Sequence, residues 1–281
     1  MLNFTKMHGA GNDYVYVDCF TERLSQPAAE LAVLMSDRHF GIGSDGLILI
    51  EPSAVADARM RMFNADGSES GMCGNGIRCV AKYVYEHGIC RRSRLAIETG
   101  NGVLQLALHI DSSQDVVESV TVDMGEPKLQ PGDVPTTLSN EPVIDFAVHL
   151  GGLELTVTAV SMGNPHCVIF VPEALDELVL KIGPQIENDP RFPQRTNVEF
   201  VEVISPTELR QRTWERGSGE TLACGTGASA VCVAGVLTQR SQREVLIHLR
   251  GGDLRLRWDE ASNHVFMSGG ATEVFSGQWP H

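Results

Sequence analysis

Short alternations of hydrophobic and polar residues dominate the chain and predict a protein rich in strands. Val103 to Ile110 shows this alternation and follows a turn at residues 100–102. Tyr14 to Val17 is a run of aromatic and β-branched residues that follows a glycine turn, which also predicts a strand. Helical periodicity is rarer. After Gly76, apolar residues return at positions 77, 80, 81 and 84, and a second run of small apolar residues covers Ala228 to Leu237. The pattern therefore predicts many strands and two principal helices. Weaker helix candidates cover Pro27 to Arg38 and Ala174 to Ile182.

Both principal helices follow copies of one motif. Residues 63–79 read FNADGSESGMCGNGIRC and residues 214–232 read WERGSGETLACGTGASAVC. Each copy has a cysteine ten residues after an aromatic residue and four residues after a glutamate. A period of about 151 residues is too long for a solenoid and predicts an internal duplication. The matched landmarks, 151 or 152 residues apart, are Asn12 with Asn164, Asp45 with Asn197, Phe63 with Trp214, and Cys73 with Cys224.

The duplication and the strand pattern predict an α+β fold with two pseudo-symmetric domains. Each domain is expected to be a mostly antiparallel sheet or barrel wrapped around a central helix, with the active site in the interdomain cleft. The segment from Glu126 to Asn140 has three prolines and little periodicity, so we interpret it as the crossing between domains. The predicted domains therefore cover residues 1–125 and 126–269.

Composition narrows the possible partners. A net charge of -14 and a pI near 5.0 argue against nucleic acid or an anionic membrane surface as a partner. No stretch approaches the roughly 20 apolar residues of a membrane span, and the N-terminus does not read as a signal peptide, so a cytoplasmic location is expected. Seven cysteines, an odd number spread over a long chain, favour reduced thiols over a disulfide framework.

Neither a cofactor nor a metal is predicted. The chain has no glycine-rich phosphate loop and no cluster with metal-ligand spacing. Zinc binding by Cys73 and Cys79 is disfavoured, because at about 100 degrees per residue a separation of six places them on different helix faces. A free cysteine is usually a small buried hydrophobe, and this is the role expected for Cys19, Cys79, Cys90, Cys167 and Cys232.

Cys73 and Cys224 stand apart because each lies among glycines at a helix start. The N–H groups of a first helical turn have no intrahelical acceptors and carry the positive end of the helix dipole. Such a turn binds carboxylates and favours the thiolate form of a cysteine. One thiolate and one thiol on opposite sides of a carbon next to a carboxylate would invert its configuration. A redox pair is the alternative that the same two sulfurs leave open.

Seven motifs then occur in order: KMHGAGNDYVYVD, GIGSDGL, FNADGSE, MCGNGIRC, SMGNPH, ERGSGET and ACGTGAS. Together they resemble the diaminopimelate epimerase family, cofactor-independent enzymes of lysine and peptidoglycan precursor biosynthesis, over nearly the whole chain. The resemblance implies epimerisation of LL- to meso-2,6-diaminoheptanedioate, with Cys73 and Cys224 as the acid/base thiols. It also implies a homodimer with Phe275 as a dimer contact, and a tail, residues 270–281, that packs on the first domain.

The resemblance further assigns substrate-binding residues. The reacting carboxylate is expected at the N–H groups of Gly74, Asn75, Gly225 and Thr226. The unreacting end is expected at Asn12, Asn64, Asn164, Asn197, Glu215 and Arg216, where the planar guanidinium of Arg216 suits a carboxylate. His166 and Glu215 are expected to support the ionisation of the thiols. Some family members have a glutamine substrate contact where this chain has Gly46, which leaves a backbone or water contact there, or none.

Simpler roles remain open for several of these residues. Asn12 and Asn164 could serve only to shape their glycine turns, and His166 could be a structural histidine. Asn197, Glu215 and Arg216 could form a surface group. An amino-acid-binding or thiol-redox sensor protein without turnover would share the cysteine setting, as would a racemase for another amino acid. A disulfide between Cys73 and Cys224 would inactivate an epimerase reversibly.

Overall fold

The chain folds into two units in the computed structural model, which describes residues 1–139 and 141–280. The first unit comprises Met1–Val122 and Ser268–His281, and the second comprises Asp123–Met267. The predicted crossing at residues 126–140 thus lies near the start of the second unit. Its last residue, Asn140, is outside the described residues, as is His281 at the end of the tail. The chain leaves the first unit once and returns to it for its final strand.

Strands make up most of the first unit. Its strands are β1 (Leu2–Gly9), β2 (Asn12–Asp18), β3 (Gly46–Glu51), β4 (Ala58–Asn64), β5 (Glu69–Ser70), β6 (Arg94–Thr99), β7 (Gly102–Asp111), β8 (Val116–Asp123) and β18 (Thr272–Trp279). Its helices are α1 (Ala28–Ser36) and α2 (Gly74–Glu86).

The strands of the first unit pair in the order β18, β1, β2, β3, β4, β6, β7, β8, with β5 beside β4. The pairs β2/β3 and β4/β6 are parallel, and the other pairs are antiparallel. Val15, Val17 and Leu47 pack with α1 on one face of the sheet. On the other face, α2 contacts β1, β2, β4, β6 and β7. The sheet therefore has a long central helix inside and a short helix outside.

The second unit repeats this arrangement. Its strands are β9 (Phe146–Leu150), β10 (Leu153–Ser161), β11 (Pro165–Phe170), β12 (Asn197–Ser205), β13 (Glu208–Glu215), β14 (Gly219–Thr221), β15 (Glu244–Leu249), β16 (Gly252–Trp258) and β17 (Val265–Gly269), whose last residues belong to the first unit. Its helical segments are a π-helix (Glu177–Ile182), α3 (Gly183–Glu187) and α4 (Gly225–Leu237).

Strand order and direction are the same in both units. The second unit pairs β9, β10, β11, β12, β13, β15 and β16, with β14 beside β13, and only β11/β12 and β13/β15 are parallel among these pairs. Strands β1 to β4, β6 and β7 thus correspond to β10 to β13, β15 and β16. Helix α4 contacts β10, β11, β12, β15 and β16 of its own unit. The predicted α+β fold, with a duplicated sheet around a central helix, is confirmed.

Strand register corrects one pair of predicted landmarks. Tyr14 of β2 pairs with Gly46 of β3, and its equivalent His166 of β11 pairs with Asn197 of β12. Because the parallel register is the same in both units, Gly46 and not Asp45 is the structural counterpart of Asn197. The two positions are 151 residues apart, which is also the spacing of the cysteines.

Both central helices begin at the repeated cysteines. Every residue of α2 from Gly74 to Tyr85 is buried, and α4 is buried through most of its length. The predicted helices were located correctly but began three residues late, because glycines at a helix start carry no apolar period. After α2, Gly88 adopts a left-handed φ of 78°, which suits glycine and ends the helix.

The two weaker helix predictions were correct in place only. α1 is shorter than the predicted range, and the second candidate is a π-helix followed by α3. Pro184 lies at the start of α3 and has no N–H, so a regular α-helical hydrogen-bond ladder cannot run across it. Across residues 1–139 and 141–280, no helix is long and apolar enough to cross a membrane.

Candidate active site

Cys73 is the N-cap of α2. Its backbone is extended (φ -136°, ψ 117°), and its Sγ accepts a hydrogen bond from Gly76 N at 3.3 Å. A Cβ at Gly76 would lie 2.6 Å from Ile48 Cδ1, so a larger residue there would force the Ile48 side chain to shift. The sulfur therefore lies at the positive end of a buried helix, in a setting that favours its thiolate form.

Asn12 holds the other side of the Cys73 sulfur. Its Nδ2 donates to Asp45 Oδ2 at 2.7 Å, and its Oδ1 lies 3.3 Å from Cys73 Sγ. Because a carboxylate only accepts hydrogen bonds, Asp45 turns the amide oxygen of Asn12 toward the thiol. Asn12 thus does more than shape its turn, and Asp45 orients Asn12.

The other predicted residues of the first unit lie near the same helix start or at the end of β4. Gly74 and Asn75 form the first turn of α2 and are buried. Asn64 ends β4, and its Nδ2 donates to Ser68 Oγ at 3.0 Å, in the turn that leads to β5. The first unit therefore presents amide groups and backbone N–H groups at this site.

Gly46 is required by the packing of β3 against its neighbours. A Cβ there would overlap Phe63 O and would lie 2.7 Å from Tyr14 Cε1. No glutamine side chain fits at this position without a shift of the strands. Gly46 therefore has no side chain to contact a substrate, because the packing of the neighbouring strands leaves no space for one.

Cys224 caps α4 in the same way. Its backbone is extended (φ -122°, ψ 110°), and its Sγ accepts a hydrogen bond from Gly227 N at 3.4 Å. Thr226 Oγ1 lies 3.5 Å from the same sulfur. Burial, and after it the charges of Glu215 and Glu199, raise the pKa of the Cys224 thiol well above its ordinary value. Cys224 therefore favours its protonated form.

Glu215 ends β13 and interacts with Cys224. Thr221 Oγ1 donates to Glu215 Oε1 at 2.5 Å. Burial raises the pKa of Glu215, while hydrogen bonds from Thr221 and Cys224 and the charge of His166 act in the opposite direction. This carboxyl group can orient the thiol proton of Cys224 and exchange a proton with it.

His166 is fully buried between two acceptors. Its Nδ1 lies 2.8 Å from Glu199 Oε1, and its Nε2 lies 3.0 Å from Asn164 Oδ1. Since a carboxylate accepts, Nδ1 carries a proton. Asn164 therefore orients the histidine as well as ending the loop before β11. Glu199 was missed from the sequence, because a glutamate in the strand NVEFVEVIS reads as one of its solvent-facing positions.

Asn197 and Arg216 form a hydrogen-bonded group in the second unit, next to His166 in the paired strands β11 and β12. Arg216 N donates to Asn197 Oδ1 at 2.9 Å, and Asn197 Nδ2 donates to Pro165 O at 2.9 Å. The Arg216 side chain is exposed, and its Nη1 donates to Gln194 O at 3.0 Å. Asn197 therefore fixes the backbone of the turn after β13, while the guanidinium of Arg216 stays accessible to an anion.

The glutamates of the repeated motif bind arginines. Arg61 Nε donates to Glu69 Oε1 at 2.8 Å in the first unit, and Arg212 Nε donates to Glu220 Oε1 at 2.8 Å in the second. Each pair joins the strand before the cysteine motif to the short strand β5 or β14. The glutamate spacing in the motif is thus a structural feature of the loop that carries the cysteine.

Arg78 is a second residue that the sequence reading missed. It is fully buried in α2, where its Nη1 donates to Gly74 O at 3.0 Å and its Nε donates to Gly270 O at 3.3 Å. At the equivalent position of α4, Ser229 Oγ donates to Gly225 O at 2.9 Å. The sequence did contain a signal for this residue: an arginine lies in a predicted central helix at the position where the other copy has a serine.

Phe275 lies on β18, which pairs with β1. Its ring is edge-to-face with Phe4 at 6.0 Å between centroids, and the residue is 47% exposed. All seven cysteines are free. Within the part of the chain that the structure describes, no group of three or more His, Cys, Asp or Glu residues is arranged to hold a metal ion.

One known protein family matches most of the chain. The family described as diaminopimelate epimerase matches residues 4–130 and 158–274. A diaminopimelate epimerase from Desulfovibrio desulfuricans is 56% identical over 285 residues, which cover 99% of this chain and 98% of the relative. One from Agathobacter rectalis is 52% identical over 284 residues and covers 99% of each chain.

Solved structures with low sequence identity share the fold. A phenazine biosynthesis protein of the PhzF family from Bacillus anthracis has a TM-score of 0.69 at 16% identity, with 98% of each chain covered. A probable proline racemase from Agrobacterium radiobacter, solved with bound carbonate, also has a TM-score of 0.69, at 14% identity, covering 100% of this chain and 93% of its own. At such identities the likeness concerns the fold alone.

Proposed function

The chain belongs to the diaminopimelate epimerase family, and from this premise we propose that it epimerises LL-2,6-diaminoheptanedioate to the meso form. The reaction is an isomerisation at one α-carbon and supplies lysine and peptidoglycan precursor biosynthesis. It proceeds without a cofactor, since two thiols supply the acid and the base. Cys73 and Cys224 are the proposed catalytic residues.

One observation supports this proposal above the others, namely that two cysteines cap two equivalent buried helices. In each, the sulfur accepts from the N–H three residues later, at 3.3 Å for Cys73 and 3.4 Å for Cys224. The preceding N–H groups of each first turn have no acceptor within the helix. A helix start of this kind offers a carboxylate-binding site directly beside a thiol.

In the proposed mechanism, the thiolate of one cysteine takes the α-proton and becomes a thiol. The electron pair of the broken C–H bond moves into the adjacent carboxylate, where N–H groups of Gly74, Asn75, Gly225 and Thr226 stabilise the charge. The thiol of the other cysteine then donates its proton to the opposite face of the carbon and becomes a thiolate. The net change is an inverted centre, and the two thiols have exchanged protonation states.

The unreacting end of the substrate has an amino group and a carboxylate. The proposed contacts are Asn12, Asn64, Asn164, Asn197, Glu215 and Arg216. Exposed Arg216 supplies a planar fork for the distal carboxylate. In the second unit, Glu215 supports Cys224 as the acid and not its ionisation, because the charge of Glu215 raises the pKa of that thiol. His166 acts on Glu215 through its charge.

Three finer statements belong to the same proposal. The protein acts in the cytoplasm, where its thiols stay reduced. It forms a homodimer in which Phe275 is a contact, which is consistent with a partly exposed ring on a final strand. Its partner is the small substrate, and neither nucleic acid nor a membrane is involved, in keeping with the net charge of -14. Sedimentation of the wild type and of Phe275→Ser tests the dimer.

Solvent exchange tests the function directly. The reduced protein is incubated with LL-diaminopimelate in D2O, and deuterium at the α-carbon is followed by mass spectrometry together with the appearance of the meso form. We expect Cys73→Ala and Cys224→Ala each to slow exchange by at least about a thousandfold, since each removes an acid/base group. Cys90→Ala is the matched control, because Cys90 lies outside both motifs, and its rate should equal that of the wild type.

Three outcomes would contradict the proposal. An unchanged rate in either active-site variant would remove the two-thiol mechanism. Binding of diaminopimelate without exchange, under reducing conditions, would make the protein a binding or sensor protein. Faster exchange on proline or glutamate than on diaminopimelate would make it a racemase for another substrate.

A further inference from the structure

Equivalent positions beneath the two cysteine-capped turns carry different side chains. A Cβ at Gly76 would lie 2.6 Å from Ile48 Cδ1, and a Cβ at the equivalent Gly227 would lie 2.7 Å from Glu199 Oε1. Ile48 and Glu199 are 151 residues apart, the same separation as the two glycines. The first turn of α2 therefore rests on a hydrocarbon side chain, whereas the first turn of α4 rests on a carboxyl group.

A second pair of equivalent positions differs in the opposite sense. Arg78 and Ser229 both donate to the carbonyl of the first residue of their helix, Gly74 or Gly225, at 3.0 and 2.9 Å. The hydrogen bond is thus conserved between the units, but only Arg78 brings a positive charge. Arg78 is 0% exposed, so water screens this charge poorly.

The groups around Cys73 favour a negative sulfur. Burial lowers the pKa of Arg78, and the charges of Cys79, Cys73 and Tyr16 act against that shift. Because an interaction between two charges is mutual, the guanidinium favours the thiolate of Cys73. Asn12 Oδ1 opposes this, because it accepts a hydrogen bond from the Cys73 thiol at 3.3 Å, but it acts as an amide dipole and not as a full charge. The carboxylates behind Asn12 are ion-paired: Asp45 with Arg38, and Asp13 with Arg38 and Lys6.

The groups around Cys224 have the opposite effect. Glu199 is 0% exposed, and its Oε2 has no hydrogen-bond partner among the described residues. Glu215 is the other carboxyl group that acts on this thiol, and both disfavour a second negative charge. His166, 2.8 Å from Glu199, is the group that can offset this charge. Thr226 and Gly227 supply only neutral donors to the sulfur.

We propose that Arg78 and Glu199 make the two thiols unequal before substrate binds, so that Cys73 ionises first and Cys224 keeps its proton. This inference rests on the proposed function, in which one thiol takes a proton and the other returns one. The resting enzyme then starts with Cys73 as the base and Cys224 as the acid. Arg78 and Glu199 are positioning residues, because each acts through a cysteine.

Alkylation without substrate measures the order of ionisation. The reduced protein is treated with iodoacetamide at a series of pH values, and the modification of each cysteine is followed by peptide mass spectrometry. Only the thiolate reacts. We expect Cys73 to react at least about tenfold faster than Cys224 at pH 7, and to begin reacting at lower pH. Equal rates, or faster reaction of Cys224, in the wild-type protein would overturn the proposal.

Variants assign the effect to the two residues. Arg78→Met should slow alkylation of Cys73 at pH 7 about tenfold and move its onset to higher pH, whereas Arg78→Lys should keep most of the wild-type rate. Glu199→Gln should speed alkylation of Cys224 about tenfold and leave Cys73 unchanged. Ser229→Ala, which removes the equivalent hydrogen bond but no charge, should preserve the order of reaction.

An Arg78→Met protein with the wild-type profile of Cys73, or a Glu199→Gln protein with the wild-type profile of Cys224, would overturn the role of that residue. Because alkylation needs no turnover, these results are independent of the deuterium-exchange assay. A protein that exchanges deuterium but alkylates both cysteines equally would disprove the charge asymmetry and leave the epimerase proposal intact. The reverse result would disprove the epimerase proposal and leave the asymmetry intact.

Discussion

The two cysteine-capped turns share a backbone and differ in the side chains around it. Both cysteines are extended and accept one N–H, from Gly76 at 3.3 Å and from Gly227 at 3.4 Å. The side chains around them diverge: Ile48 corresponds to Glu199, Gly46 to Asn197, Asn64 to Glu215 and Arg78 to Ser229. The two units therefore share the backbone that positions a thiol at a helix start, and they differ in the side chains that set the charge of that thiol and that are proposed to bind a ligand.

Exchange of the residue beneath the turn should have the largest effect. Ile48→Glu would place a carboxyl group in the core of the first unit, where no equivalent of His166 is available on β2, since Tyr14 occupies that position. We expect a loss of about 4 kcal/mol in the free energy of unfolding at pH 7, measured by urea denaturation.

Ile48→Val is the matched control, because it removes one methylene and adds no charge; it should cost about 1 kcal/mol. A loss below about 1 kcal/mol for Ile48→Glu would mean that the first unit accommodates the carboxyl group of the second. The proposed difference between the two turns would then have no structural basis.

Gly46→Gln should have the next largest effect. A side chain at this position meets Phe63 O and Tyr14 Cε1, so the strands must separate to admit it. We expect a loss of about 3 kcal/mol in unfolding free energy. Gly132→Ala, at a glycine with no atom within 4 Å of its Cβ position, is the control and should be nearly neutral. Wild-type stability of Gly46→Gln would show that this sheet has room for a glutamine at this position.

The cysteine motifs, both central helices and the duplication could be predicted from the sequence. Each depends on local chemistry: glycines next to a cysteine, a helical apolar period, and one repeated spacing. Register could not be predicted, since a one-residue shift between Asp45 and Gly46 is invisible until the parallel strands are paired. Arg78 and Glu199 were also missed, because a charged residue reads as solvent-facing unless tertiary packing encloses it.

The repeated ion pairs should show a smaller difference between the units. Glu220 is less exposed than Glu69, with side-chain exposures of 9% and 49%, and it also pairs with Arg250 at 2.7 Å. We therefore expect Glu220→Gln to cost about 2 kcal/mol of unfolding free energy and Glu69→Gln no more than about 0.5 kcal/mol. Equal losses, measured under the same urea conditions, would contradict the assignment of the stronger network to the second unit.

The smallest effect expected concerns Glu215, which the first unit replaces with the uncharged Asn64. Burial raises the pKa of Glu215, so the folded protein binds its proton up to a higher pH than the unfolded chain does. Stability from this group is complete below the ordinary pKa of 4.5 and is lost as the pH rises through the raised value. Glu215→Gln should therefore match the wild type near pH 4 and exceed its unfolding free energy by about 1 kcal/mol at pH 7.

Glu177→Gln is the control. Lys181 lowers the pKa of that exposed carboxylate, so the pH range in which its ionisation affects stability lies below neutral pH. If the difference in unfolding free energy between the wild type and Glu215→Gln stays constant between pH 4 and pH 7, the carboxyl group of Glu215 ionises equally in the folded and unfolded states. The second helix start would then carry no more titrating charge at this position than the first, which has the uncharged Asn64.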